Sequence, residues 1–183
     1  NGNTATCVAT ITVVEGTALP AGWSNANIGN AQGSAIYKPC TSNGQFTLTS
    51  KGFSNNPDLQ HSAWRSLCGN GSITTRVESV SNGGWAGIEV RENATPGSRK
   101  VALKTQLTNF VRRVFRMVAN AQPQSQQFPA PAHSWLRITR TGNNFAMYVS
   151  PNGTDWQLAA STTLALPNCV QIGLFAESVN ANT

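Results

Sequence analysis

Charge is what this sequence has least of. Only 11% of its residues are Asp, Glu, Lys or Arg, and the acids number 7. Aspartate occurs at Asp58 and Asp155 alone, both in loop-like contexts. A glycosidase needs two carboxyls across one site, held about 5 Å or more apart. Glu89 and Glu92 are three residues apart on an extended run, which points them to opposite faces. No Glu-x-Asp-x-x-Glu pattern exists, so no enzyme is expected. His61 and His133 are the only histidines, and neither has a nucleophile motif nearby. The shortage of acids also argues against a strong metal site and any cofactor. Backbone carbonyls beside Asp58 or Asp155 are the one place left for a weak calcium ion.

Long apolar runs are missing as well, which excludes a membrane-spanning helix. The net charge is +6, yet no Lys/Arg run tracks a phosphate backbone, so nucleic acid is not the expected partner. CxxC pairs are absent, and the four cysteines are too widely spaced for a zinc knuckle. An even cysteine count in a low-charge chain reads as disulfides and an oxidising, extracellular or cell-surface location. Three pairings are open. Cys40 and Cys68 end two successive strand-like runs, which favours that pair and leaves Cys7 with Cys169.

What the chain does contain is Asn, Thr, Ser, Gly and β-branched residues, in a length that suits one domain. Strand-like runs recur at 5–14, 34–40, 45–50, 62–67, 72–80, 85–91, 100–107, 110–119, 134–140, 144–150, 156–160 and 169–178. Ser-Asn-Gly at 42–44 and Thr-Gly-Asn at 141–143 mark hairpins, because Asn and Gly tolerate the positive φ of a tight turn. Residues 121–132 carry three prolines and read as a long loop. So many short strands predict an all-β, two-sheet antiparallel sandwich.

Alternation assigns faces. Ala86, Ile88 and Val90 share one side of their strand and belong to the core. Trp85, Gly87, Glu89 and Arg91 share the other, which faces outward or lines a groove. Arginine inside a sandwich is costly unless paired, so the arginines of 110–118 are expected on a concave, half-open sheet. Trp64, Trp85, Glu89, Arg91, Arg113 and Arg116 form the candidate carbohydrate site, since indoles stack on sugar C–H faces and arginines hydrogen-bond hydroxyls. Asn70, Asn93 and Asn152 each begin an Asn-x-Ser/Thr sequon.

From Leu19 onward the sequence resembles a known family. The resemblance rests on Gly22-Trp23, Asn27-Ile28-Gly29, Gly33-Ser34-Ala35 and Gly44-Gln45-Phe46-Thr47-Leu48. It continues with Gly71-Ser72-Ile73-Thr74-Thr75-Arg76-Val77, Trp85-Ala86-Gly87-Ile88-Glu89-Val90-Arg91-Glu92 and Ser134-Trp135-Leu136-Arg137-Ile138. It closes with Tyr148-Val149-Ser150-Pro151-Asn152-Gly153-Thr154-Asp155-Trp156 and Val170-Gln171-Ile172-Gly173-Leu174. Together these resemble concanavalin A-like, laminin G-like jelly-roll modules of large secreted bacterial proteins. The resemblance implies a non-catalytic module of a surface protein or adhesin that binds a glycan or cell-surface polymer.

The two ends depart from that pattern. Such modules usually finish with one more strand, reading like Thr-Ala-Thr-Phe-Asp-Asn-Val. At the start, Gly2-Asn3-Thr4-Ala5-Thr6-Cys7 and Thr10-Ile11-Thr12-Val13-Val14 resemble the last strand of a hyalin-repeat, immunoglobulin-like domain. Residues 1–16 are therefore set apart from a sandwich over 17–183. A missing strand and a spare one suggest complementation, with Thr6, Val8, Thr10, Ile11 and Val13 as the exchanging residues. Exchange between copies of the chain would build an extracellular filament, with a Cys7–Cys169 bond locking each junction. That is the alternative to glycan binding.

Overall fold

The computed structural model describes residues 18–39, 44–52, 54, 55, 57–81 and 83–178. It is all antiparallel β. The first strands are β1 (Ser24–Ile28), β2 (Gln32–Lys38), β3 (Gln45–Lys51), β4 (Ser54–Asn55), β5 (Asp58–Cys68) and β6 (Gly71–Arg76). Next come β7 (Trp85–Arg91), β8 (Lys100–Thr105), β9 (Phe110–Arg116) and β10 (Gln124–Pro129). The last four are β11 (Trp135–Thr141), β12 (Asn144–Ser150), β13 (Gln157–Thr163) and β14 (Cys169–Glu177).

One layer is an eight-stranded sheet in the order β1-β5-β14-β7-β8-β9-β10, with β4 beside β5. The facing layer comes in two pieces, a four-stranded sheet β13-β12-β11-β6 and the hairpin β2-β3. Period-2 alternation builds the core between them. Ile88, Val90, Val101 and Leu103 point in from the large sheet, and Leu136, Ile138, Phe145 and Met147 answer from the four-stranded one. Thr141 pairs with Asn144, leaving a two-residue turn whose Gly142 has φ 58°. That is the second hairpin read from the sequence. The first lies between β2 and β3, where Gly44 has φ 70°.

Two expectations are corrected. Residues 121–132 are not all loop, because β10 pairs with β9 from Gln124 to Pro129. Its proline is tolerated since β10 is an edge strand and ends there. The disulfide is Cys68–Cys169, not Cys40–Cys68 with Cys7–Cys169. Cys68 ends β5 directly opposite Cys169, the first residue of β14. The two are neighbours in the sheet although 101 residues separate them in sequence. Cys7, Cys40 and the exchange residues Thr6, Val8, Thr10, Ile11 and Val13 lie outside the described residues.

A cross-link that closes so long a loop restricts the unfolded chain strongly. Replacing both Cys68 and Cys169 by Ser is expected to cost about 4 kcal/mol, read as a lower urea midpoint with a steeper slope, because the chain without the cross-link unfolds to a more expanded state.

Candidate functional site

The large sheet's second face, turned away from the core, is closed by charge. Glu89, Arg91 and Arg116 are each no more than 2% exposed. Asp58 is the hub of this layer. Its Oδ1 accepts from Arg116 Nη2 at 2.8 Å, and its Oδ2 accepts from Arg116 Nη1 at 3.0 Å. Lys100 Nζ stands 3.1 Å from the same carboxylate, and Arg91 Nη2 stands 3.4 Å away. Arg91 also holds Glu89, whose Oε1 accepts from Gln60 Nε2 and Ser62 Oγ at 2.8 and 2.9 Å. Loops fold over the edge of the layer. Arg91 donates to the carbonyls of Asn93 and Thr95, and Arg116 donates to those of Pro96, Ser98 and Ala121.

These contacts place the sequence-derived site. Glu89, Arg91 and Arg116 lie in a buried ion-pair layer and not on a half-open sheet. Trp85 is 5% exposed, with the Arg112 guanidinium 4.5 Å and Lys104 Nζ 5.0 Å from its ring. Trp64 is half-buried on β5, opposite Gly173. Arg113 belongs to the other face of β9. It stacks on Phe115 and bridges the layers to the Ser161 carbonyl and Thr162. Asp58, read from sequence as a loop residue, opens β5. His61 is buried, its Nδ1 lies 2.7 Å from Asn27 Oδ1, and burial pushes its pKa down.

Electrostatics explains why this layer holds. Burial alone would raise the Asp58 carboxyl, but Lys100, Arg116 and Arg91 more than offset that and hold it below its ordinary value. Lys104 is pushed down by burial, although its ion pair with Glu177 works against this. Asp155 accepts from Asn152 Nδ2 at 2.6 Å. Among the described residues, no three His, Cys, Asp or Glu side chains cluster closely enough for a metal ion.

The open feature lies in the other layer. Between β3 and β6 runs a groove of about 1370 Å³. Its walls are β3 on one side and β6 with its continuation through Ser81 on the other. Leu174 and Ala176 of β14 and Ala86 of β7 lie in its floor. Among the described residues, β3 pairs only with β2, and β6 only with β11. Each wall therefore turns an unpaired backbone edge to the groove. Phe46, Leu48 and Ile73 alternate inward from the walls yet stay half-buried. Ser50 Oγ, also on the wall, is buried without a hydrogen-bond partner.

The walls run in the same direction. β3 ends at Lys51, and the next residue, Gly52, accepts from Ser178 N at 3.2 Å. The β6 wall ends at Ser81, whose carbonyl takes Gly84 N. A Cβ on Gly84 would lie 2.8 Å from the Glu177 carbonyl, so this wall reaches the same end of the groove. At the opposite end Trp23 packs on Phe46, with ring centroids 4.6 Å apart. A strand laid between two parallel walls would pair with both in the same sense, parallel or antiparallel. Sequence alternation could not show this, because a gap is a relation between strands far apart in the chain.

No protein-family model matches the chain, and no curated protein matches it in sequence. Solved structures do resemble it. A functionally unknown protein from Saccharomyces cerevisiae is 19% identical, with a TM-score of 0.60 over 80% of this chain and 87% of that one. The carbohydrate-binding module CBM66 from Bacillus subtilis is 13% identical, with a TM-score of 0.52 over 87% of this chain and 94% of that one. A Bacillus licheniformis β-glucanase is 13% identical, with a TM-score of 0.50 over 86% of this chain and 81% of that one. The fold is a concanavalin A-like jelly roll. At such identities the likeness shows the fold alone, and the fold hosts both a binding module and a hydrolase.

The charge layer yields a pH prediction. A carboxyl held below its unfolded value contributes stability that is complete above about pH 4 and is lost as pH falls through the folded pKa. Glu92, lowered by its hydrogen bonds from Arg99, acts in the same sense. Asp58→Asn leaves Arg116, Lys100 and Arg91 without their shared partner and is expected to cost about 3–5 kcal/mol at pH 7. Urea midpoints at pH 7 and pH 3 should differ less in this variant than in the parent.

Proposed function

We propose that the chain is a non-catalytic extracellular interaction module that takes one extended polypeptide strand into the groove between β3 and β6. One observation carries this: two parallel walls, each with an edge that pairs with no strand among the described residues, flank an apolar floor. A strand laid between them makes main-chain hydrogen bonds on both sides, and its alternate side chains fill the floor. The groove's volume exceeds the roughly 300–1,000 Å³ of small-molecule pockets. The disulfide suits an oxidising compartment. The absence of catalysis is supported by Asp58 and Glu89, which are engaged by Arg91, Arg116 and Lys100.

A glycan is the second reading, favoured by Trp23, Phe46 and Trp135 along the same groove and by the fold shared with CBM66. A sugar chain stacks on indoles but leaves both backbone edges to water. It accounts for the aromatic rim and not for the two facing strand edges without a partner, so the strand reading takes precedence.

Amide hydrogen exchange separates the two. With a saturating peptide of alternating Thr and Val, the groove-facing amides of β3 and β6 should slow about tenfold or more. Unchanged exchange with such peptides would refute strand binding. Quenching of tryptophan fluorescence by β-glucan oligosaccharides, lost in Trp135→Ala, would then establish the glycan.

A further inference from the structure

We infer that Lys100 and Gln60 bond to each other in the folded chain, the lysine Nζ displacing the amide nitrogen of the glutamine and leaving an isopeptide cross-link between β8 and β5. The charge layer carries this, whatever the groove holds.

The groups such a bond needs meet in that layer. Lys100 Nζ donates to Gln60 Oε1 at 3.2 Å, which brings the amine beside the carbonyl carbon it attacks. Gln60 Nε2, the leaving nitrogen, donates to Glu89 Oε1 at 2.8 Å and to Ser62 Oγ at 2.6 Å. The other oxygen of Glu89 stands 4.0 Å from Lys100 Nζ. One carboxylate thus faces both the attacking and the leaving nitrogen. Asp58 Oδ2, 3.1 Å from Nζ, holds the amine in place. Gln60 is fully buried, and Lys100, Glu89 and Asp58 are nearly so. An amine and an amide fixed side by side react as if highly concentrated, and exclusion of water suppresses hydrolysis.

Charge supplies the driving force. Arg116 takes both oxygens of Asp58, and Arg91 holds Glu89, so each carboxylate has a guanidinium of its own. Lys100 is a further cation in the same buried space, where charge is costly even when paired. The reaction removes it. Lys100 starts as an ammonium and passes one proton to Glu89, and the freed electron pair of Nζ attacks Cδ of Gln60. Nζ then loses a second proton, and Glu89 relays both to Nε2. The Cδ–Nε2 bond breaks, and ammonium departs with the positive charge. The product is a neutral amide whose N–H keeps Asp58 as its acceptor. It straps β5 to β8 across β14 and β7.

Intact-mass spectrometry of the full chain, folded at neutral pH and then reduced and denatured, tests this. The expected mass is that of the sequence less one ammonia, and a tryptic digest should yield Gln60 and Lys100 in one branched peptide. Lys100→Arg keeps the cation without the nucleophile and should show the full mass. Glu89→Gln should show it too, with circular dichroism checking that each variant is folded. A folded parent at the full sequence mass overturns the inference, and this result decides even where a variant fails to fold. An ammonia loss that maps to an Asn-Gly pair such as Asn70-Gly71 overturns it as well. A Glu89→Gln chain that still cross-links overturns the relay through Glu89.

Discussion

A β-strand has two hydrogen-bonding edges, and among the described residues of this sandwich β3 and β6 each use one. Everything distinctive about the molecule follows from that shortfall. The large sheet is continuous from β1 to β10, so its core face extends beneath both pieces of the opposing layer. Where the pieces stop short of each other, Leu174, Ala176 and Ala86 lie in an open floor. A free edge beside an apolar floor is a template for pairing. Because the walls run the same way, any strand laid between them would pair with both in the same sense.

The charge layer supports this arrangement from behind. Two carboxylates, Asp58 and Glu89, are held by Arg91, Lys100 and Arg116 across β5, β7, β8 and β9. Buried ion pairs add little net stability, but they are exacting about register. Each of these strands carries a partner that would be stranded by a one-residue slip. The layer thus fixes β7, which carries Ala86 of the groove floor, together with the strands β5 and β8 on the same sheet.

Much of the fold was legible in the sequence, for local reasons. Turn residues at 42–44 and 141–143 located both hairpins, and alternation in β7 separated Ile88 and Val90 from Glu89 and Arg91. Alternation tells which side a residue faces and not what covers that side. Glu89, Arg91 and Arg116 were therefore expected on an open surface, whereas they are buried. Asp58 was missed because its partners lie on three other strands. The Cys68–Cys169 pair was missed because pairing was argued from neighbours in sequence, whereas β14 joins β5 across most of the chain. Prolines hid β10, since they are compatible with an edge strand as well as with a loop.

The disulfide also governs how the molecule bears load. It closes a loop of 101 residues that contains β6 through β13. Tension applied to the two ends of the chain passes from β5 to β14 through the sulfur atoms and never reaches that loop. Even with the flanking segments pulled straight, the larger part of the sandwich, including the β6 wall of the groove, is shielded from extension. The β6 wall is built inside a covalent safety loop, while the β3 wall lies outside it and takes the strain.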